Sequence, residues 1–92
     1  MIKSFACPET QALFAGMRVS RFANIAAAAE RKLQQIDSAA TLAALRSPPG
    51  NRLEALKGGR SGQHSIRIND QWRVCLRFEG GDAFDVEIVD YH

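Results

Sequence analysis

No stretch of this chain approaches the roughly 20 consecutive apolar residues that a membrane-crossing helix needs. The opening residues MIKSFACPET also lack the apolar core of a secretory signal. A cytoplasmic protein with no membrane partner is therefore the expectation. Cysteine is scarce: Cys7 and Cys75 stand far apart, with no CxxC spacing and no neighbouring histidine. That pattern suggests neither a zinc site nor a disulfide framework, and two free thiols suit a reducing compartment. The glycines of GGRSG (Gly58 to Gly62) lack the GxxxxGK spacing of a nucleotide-binding loop, which argues against nucleoside triphosphates. Internal repeats and low-complexity tracts are missing too. Net charge is only +2, too little by itself to select a partner.

What is present is one ordinary globular domain over residues 1–92. A hydrophobic fraction of 46% with 24% charged residues suits a chain of 92 residues that can bury a single modest core. The most ordered stretch is Gln63 to His92, where Ile66, Ile68, Trp72, Val74, Leu76, Phe78, Phe84, Val86 and Ile88 alternate with polar or charged residues. Period-two alternation predicts strands with one buried and one outward face. Residues opposite one another on antiparallel strands share a face, so even positions must pair with even ones. A three-residue loop at Asn69-Asp70-Gln71 satisfies this, setting Trp72 against Ile68 and Val74 against Ile66. By the same logic Gly80-Gly81-Asp82 closes a second hairpin, with Phe78 against Phe84, Leu76 against Val86 and Arg77 against Asp85. The outward face then presents Arg67, Arg73 and Val89 side by side. Tyr91 lies diagonal to Arg73, and Asp90-Tyr91-His92 gather near it. His64 falls on the apolar parity.

The residues before this meander read as helical. Met1 to Phe5 is expected to form an edge strand, and Pro8 to open a short helix that Gly16 interrupts. Ser20 is the expected N-cap of a longer helix, Arg21 to Ile36, whose Phe22, Ile25, Ala26, Ala29, Leu33 and Ile36 recur at helical spacing. Asp37-Ser38 ends that helix and caps a further turn through Leu42 and Leu45. Ser47-Pro48-Pro49-Gly50-Asn51 must be a loop, and Arg52 to Leu56 a short strand before the basic loop Lys57 to Gly62. The expected fold class is α+β, with the N-terminal strand and helices packed on one face of a mainly antiparallel sheet.

Charge is uneven along the sequence. Residues 46–77 hold seven Lys and Arg against two acids, whereas residues 78–92 hold five acids and no Lys or Arg. A salt-bridged sheet and a phosphate-binding surface are both consistent with that distribution. If an RNA phosphodiester lay on the outward face, Lys57 and Arg73 would supply positive charge, Arg73 with a fork matched to phosphate oxygens. His92 would exchange protons near neutral pH, Asp90 would orient it or share the transfer, and Tyr91 would stack on a base. The basic loop and face add Arg60 and Arg67. Each of these residues also has an ordinary role as an exposed surface group.

Three segments carry a resemblance: PGNRLEALKG (Pro49 to Gly58), GQHSIRINDQWRVCLRF (Gly62 to Phe78) and VEIVDYH (Val86 to His92). With MIKSF, AERKL and the overall length, they resemble the HigB-type toxins of the RelE/ParE superfamily. The resemblance implies a RelE-like fold similar to compact microbial ribonucleases. It further implies a type II toxin that enters the A site of the 70S ribosome and cuts the mRNA there, inhibiting translation and growth without metal or other cofactor. A helix-turn-helix antitoxin, which binds operator DNA, is the implied partner. The family's functional residues fall on Lys57, Arg73, Asp90, Tyr91 and His92. The position that is histidine in some HigB toxins is Glu54 here, a candidate proton acceptor or else a surface ion-pair partner of Arg52 or Lys57. Two alternatives are a ParE-like toxin acting on gyrase and a noncatalytic RNA-binding module.

Overall fold

The computed structural model describes residues 1–47 and 49–90. Helices α1 (Pro8–Phe14) and α2 (Ala26–Ser38) precede strands β1 (Glu54–Ala55), β2 (His64–Arg67), β3 (Trp72–Glu79) and β4 (Asp82–Asp90). The strands form one antiparallel sheet in chain order, β1-β2-β3-β4. The N-terminal edge strand expected over Met1 to Phe5 is reduced to two isolated bridges to β4. Ile2 bridges Ala83 and Phe5 bridges Val86 in parallel sense, with Lys3 donating to the Ala83 carbonyl at 2.7 Å. Helices on one sheet face produce the expected α+β architecture.

Pro8 occupies the first turn of α1, where its missing N–H costs nothing. Gly16, at φ 89°, ends the helix: its amide donates to Leu13 and that of Met17 to Ala12, closing the two carbonyls of a Schellman turn. The second helix begins later than its apolar spacing suggests. Ser20–Phe22 is a 3-10 turn, Ile25 is the N-cap of α2, and Ser20 caps nothing in it. Phe22 explains the difference: it is fully buried, edge-on to Trp72 at 5.6 Å, which fixes the tight turn before the helix starts. Asp37 accepts the Ile2 amide at 2.9 Å, tying the end of α2 to the N-terminal segment. The next turn, Leu42–Leu45, is capped by Thr41, not by Asp37 or Ser38.

Leu13, Phe22, Leu33 and Ile36 from the helical half meet Ile66, Val74, Leu76, Val86 and Ile88 from the sheet. Each such fully buried side chain contributes roughly 1.5–3 kcal/mol relative to exposure. The first hairpin has the expected register, Ile66 against Val74 and Arg67 against Arg73. Asn69 Oδ1 accepts the amides of Gln71 and Trp72, both at 2.8 Å, which sets its three-residue loop.

The second hairpin differs. Its turn is the two-residue Gly80-Gly81, both at positive φ, so Phe78 faces Ala83 and Arg77 faces Phe84. Parity is restored by a bulge, because between the pairs Cys75–Glu87 and Arg77–Phe84 the single residue Leu76 opposes both Asp85 and Val86. Ala83, not Phe84, consequently lies in the core. The strand foreseen from Arg52 to Leu56 shrinks to Glu54–Ala55, since Arg52 takes a left-handed backbone at φ 45°.

Candidate active site

The face of the sheet away from the helices is organised in rows. Glu54, Ser65, Cys75 and Glu87 stand in register across all four strands, and Arg67, Arg73 and Val89 form the next row. Arg73 leans from its row toward the first. Its Nε donates to Ser65 Oγ at 2.8 Å and its Nη2 to the Arg52 carbonyl at 2.8 Å. Ser65 and Cys75 are fully buried beneath these longer side chains. Burial pushes the Cys75 thiol up, with Glu87 reinforcing and Arg60 and Arg73 opposing, so Cys75 stays a neutral thiol near neutral pH. Cys7 and Cys75 are both free.

Glu54 and Lys57 are exposed and line one open groove of about 510 Å³ together with Ala55 and Leu56. Among the described residues neither forms an ion pair, including the foreseen pairing of Glu54 with Arg52 or Lys57. Lys57 is placed by the 3-10 turn Gly58–Arg60, which it precedes as N-cap. Gly58 makes that turn possible with φ 63°.

Arg60 and Arg67 are engaged by the protein itself. Arg60 donates to Gln63 at 3.1 Å and to Glu87 at 3.2 Å, bridging the basic loop to β4. Arg67 pairs with Asp70 in the hairpin loop. Each is thus paired with a carboxylate of the same chain. Asp90 lies at the same end of the sheet as Arg73 but opposite Trp72, so strand alternation gives it Trp72's parity; Gln71 donates to its Oδ2 at 3.1 Å. Tyr91 and His92 lie outside the described residues. His64 opposes Leu76, as its parity predicted, with a buried Nδ1 that has no hydrogen-bond partner among the described residues.

Sequence reasoning missed Ser65 and Asn51. Ser65 was legible only as a small polar residue between Ile66 and His64. Asn51 is fully buried and joins three elements: its amide nitrogen donates to Gln35 Oε1 at 2.9 Å and the Leu45 carbonyl at 3.0 Å, while Lys32 donates to its Oδ1. Desolvation, with Arg31 and Arg67 adding to it, lowers the pKa of Lys32. Among the described residues no group of three or more His, Cys, Asp or Glu side chains is placed to hold a metal ion.

The fold has solved counterparts in toxin–antitoxin assemblies. A chain of the heterotetrameric YoeB-YefM complex from Staphylococcus aureus superposes with a TM-score of 0.59 at 16% identity, over 100% of this chain and 98% of that one. A second YoeB-YefM complex from the same organism gives 0.54 at 15%. At the level of sequence, the chain belongs to the HigB-like toxin family, whose model, a RelE-like toxin of the type II toxin-antitoxin system HigB, matches residues 17–92. Toxin HigB-1 of Vibrio cholerae serotype O1 is 44% identical over 55 residues, 60% of this chain and 58% of that protein. Endoribonuclease HigB of Proteus vulgaris is 38% identical over 61 residues, 66% of this chain and 65% of that protein. The matched segments thus span under two thirds of either relative.

Proposed function

We propose that this chain is a ribosome-dependent, metal-independent endoribonuclease that cleaves mRNA in the A site and is neutralised by a cognate antitoxin. The observation that carries the reading is the shared outward face of Glu54 and Arg73, with Lys57 beside Glu54 on a common groove. It is supported by family membership and by the relative named as an endoribonuclease.

Cleavage begins when the ribose 2′-hydroxyl attacks the adjacent phosphorus. Glu54 takes the hydroxyl proton as the new O–P bond forms. Arg73 and Lys57 stabilise the extra negative charge on the equatorial oxygens. The bond to the 5′-oxygen then breaks, and that oxygen receives a proton from His92, leaving a 2′,3′-cyclic phosphate and a 5′-hydroxyl. Asp90 supports His92, Tyr91 stacks on a base, and Arg60 and Arg67 hold flanking phosphates. The ribosome aligns the 2′-hydroxyl with its phosphate, an entropic contribution that a small protein with few proton carriers lacks.

The antitoxin is assigned from the toxin–antitoxin complexes that share the fold; as the resemblance implies, it is a helix-turn-helix protein that carries the pair to operator DNA. Both partners act in the cytoplasm. Mapping transcript ends in a translating extract tests the reading. New 5′-hydroxyl ends should appear within ribosome-bound message, and naked mRNA should be a poor substrate. Arg73→Ala and Lys57→Ala should each lower the rate on the order of 10²–10³-fold, the loss typical of one removed oxyanion donor. Binding to RNA with no new ends would mark a noncatalytic module, and wild-type cleavage by the double variant would overturn the assignment.

A further inference from the structure

Resting on the ribonuclease reading of Arg73, we infer that Ser65 is a positioning residue that sets the plane of the Arg73 guanidinium. The two residues stand diagonally on adjacent strands, and the Arg73 Nε–H donates to Ser65 Oγ at 2.8 Å. The Arg52 carbonyl accepts from Nη2 of the same guanidinium, also at 2.8 Å. One hydrogen bond leaves a guanidinium able to pivot; two, to different nitrogens, fix its plane.

Both acceptors are held in place by the surrounding fold. Ser65 has 0% exposure in the middle of β2, paired to β1 on one side and β3 on the other. Arg52 follows the fully buried Asn51, whose side chain is bonded to α2 and to Leu45, and its own φ of 45° turns the chain so that its carbonyl meets Arg73. The brace therefore runs from the helix layer, through a loop, to the outward face. A serine that makes only a β-sheet contact would not need its hydroxyl. Here the hydroxyl accepts from a charged donor in a desolvated position, where such bonds are strongest.

The test separates positioning from folding. In the 15N-resolved NMR spectrum the Arg73 Nε–H resonance, identified by its loss in Arg73→Lys, should be slow to exchange in the wild type. In Ser65→Ala it should shift and exchange rapidly, and in Ser65→Thr, which keeps the oxygen, it should be restored. Single-turnover cleavage on saturating ribosomes should fall in Ser65→Ala by up to about 100-fold in rate with little change in half-saturation, as expected for a misplaced group. In an Arg73→Ala background the same substitution should change nothing further. An Arg73 resonance and a cleavage rate both unmoved in folded Ser65→Ala would overturn the inference. Wild-type cleavage by Arg73→Ala alone would instead overturn the ribonuclease role of Arg73, while the resonance would still report whether Ser65 orients it.

Discussion

Asp85 stands beside Val86 against the single residue Leu76, and its amide donates to Ser4 Oγ at 2.8 Å. The extra residue is accommodated by a left-handed backbone at φ 54°, tolerable for Asp because its short polar side chain adapts to that region. The bulge lets a two-residue turn coexist with a core in which Ala83, Val86 and Ile88 all point inward. Asp85→Val, which forces a β-branched residue to positive φ, should destabilise the fold by about 1–3 kcal/mol. Asp85→Asn should cost far less. Chemical denaturation of the two variants checks this, and equal midpoints would show that the bulge does not hold φ at 54° in solution.

A second backbone anchor is Asn51. Replacing it with Leu leaves the Leu45 carbonyl, Gln35 and Lys32 without a shared partner in a buried setting. The expected cost is about 1–3 kcal/mol, the usual consequence of leaving a buried polar group unpaired. For a domain of this size that lowers Tm by roughly 4–8 °C per kcal/mol, measurable by calorimetry. Because Arg52 follows directly, the variant should also loosen the Arg73 guanidinium.

How much of this was written in the sequence depends on whether the signal is periodic. Alternation placed the sheet, its core residues, the first hairpin's register and the row Arg67-Arg73-Val89, because a buried face fixes parity. The same rule misplaced the second hairpin, since parity cannot see a bulge that spends one residue without pairing it. Helical spacing found Phe22 and Ile25 as core but not the 3-10 turn that carries Phe22. Arg73 and Lys57 stood out by their charge and again by motif resemblance, Glu54 by resemblance alone, and Glu54 shares Arg73's face through the β1–β2 register, which no local pattern encodes. Ser65 and Asn51 were illegible because their roles consist of hydrogen bonds to groups distant in the chain.

The buried Cys75 thiol makes stability pH-dependent on the alkaline side. Burial raises its pKa in the folded state above the ordinary value of 9.0. Above that value the unfolded chain has released the thiol proton while the folded chain still holds it. The unfolded state then binds fewer protons, so stability is complete below pH 9 and declines as pH rises toward the raised value. Cys75→Ala removes this contribution. Denaturation midpoints from pH 7 to 10.5 should therefore fall more steeply for the wild type than for the variant; parallel profiles would show that the thiol titrates alike in both states.

By the motif resemblance, Glu54 stands where some HigB toxins would carry histidine, and the consequences of that proposed role are separable. A carboxylate accepts a proton but adds no positive charge beside the phosphorane, so in the proposed mechanism the electrostatic stabilisation falls to the cations, Arg73 and Lys57. Glu54→Gln keeps the shape and removes the base; single-turnover cleavage on saturating ribosomes should slow by about 10²–10⁴-fold, the range general base catalysis contributes. Glu54→His should recover much of the rate with activity that rises as the imidazole loses its proton, around pH 6.5 for an unperturbed group. Stability is the control. With no ion pair at Glu54 among the described residues, both variants should stay within about 0.5 kcal/mol of the wild type, as surface substitutions do. If Gln and His variants both cleave at the wild-type rate from pH 5 to 9, the proton acceptor is not Glu54, and the 2′-hydroxyl must lose its proton to the chain's C-terminal residues or to the ribosome.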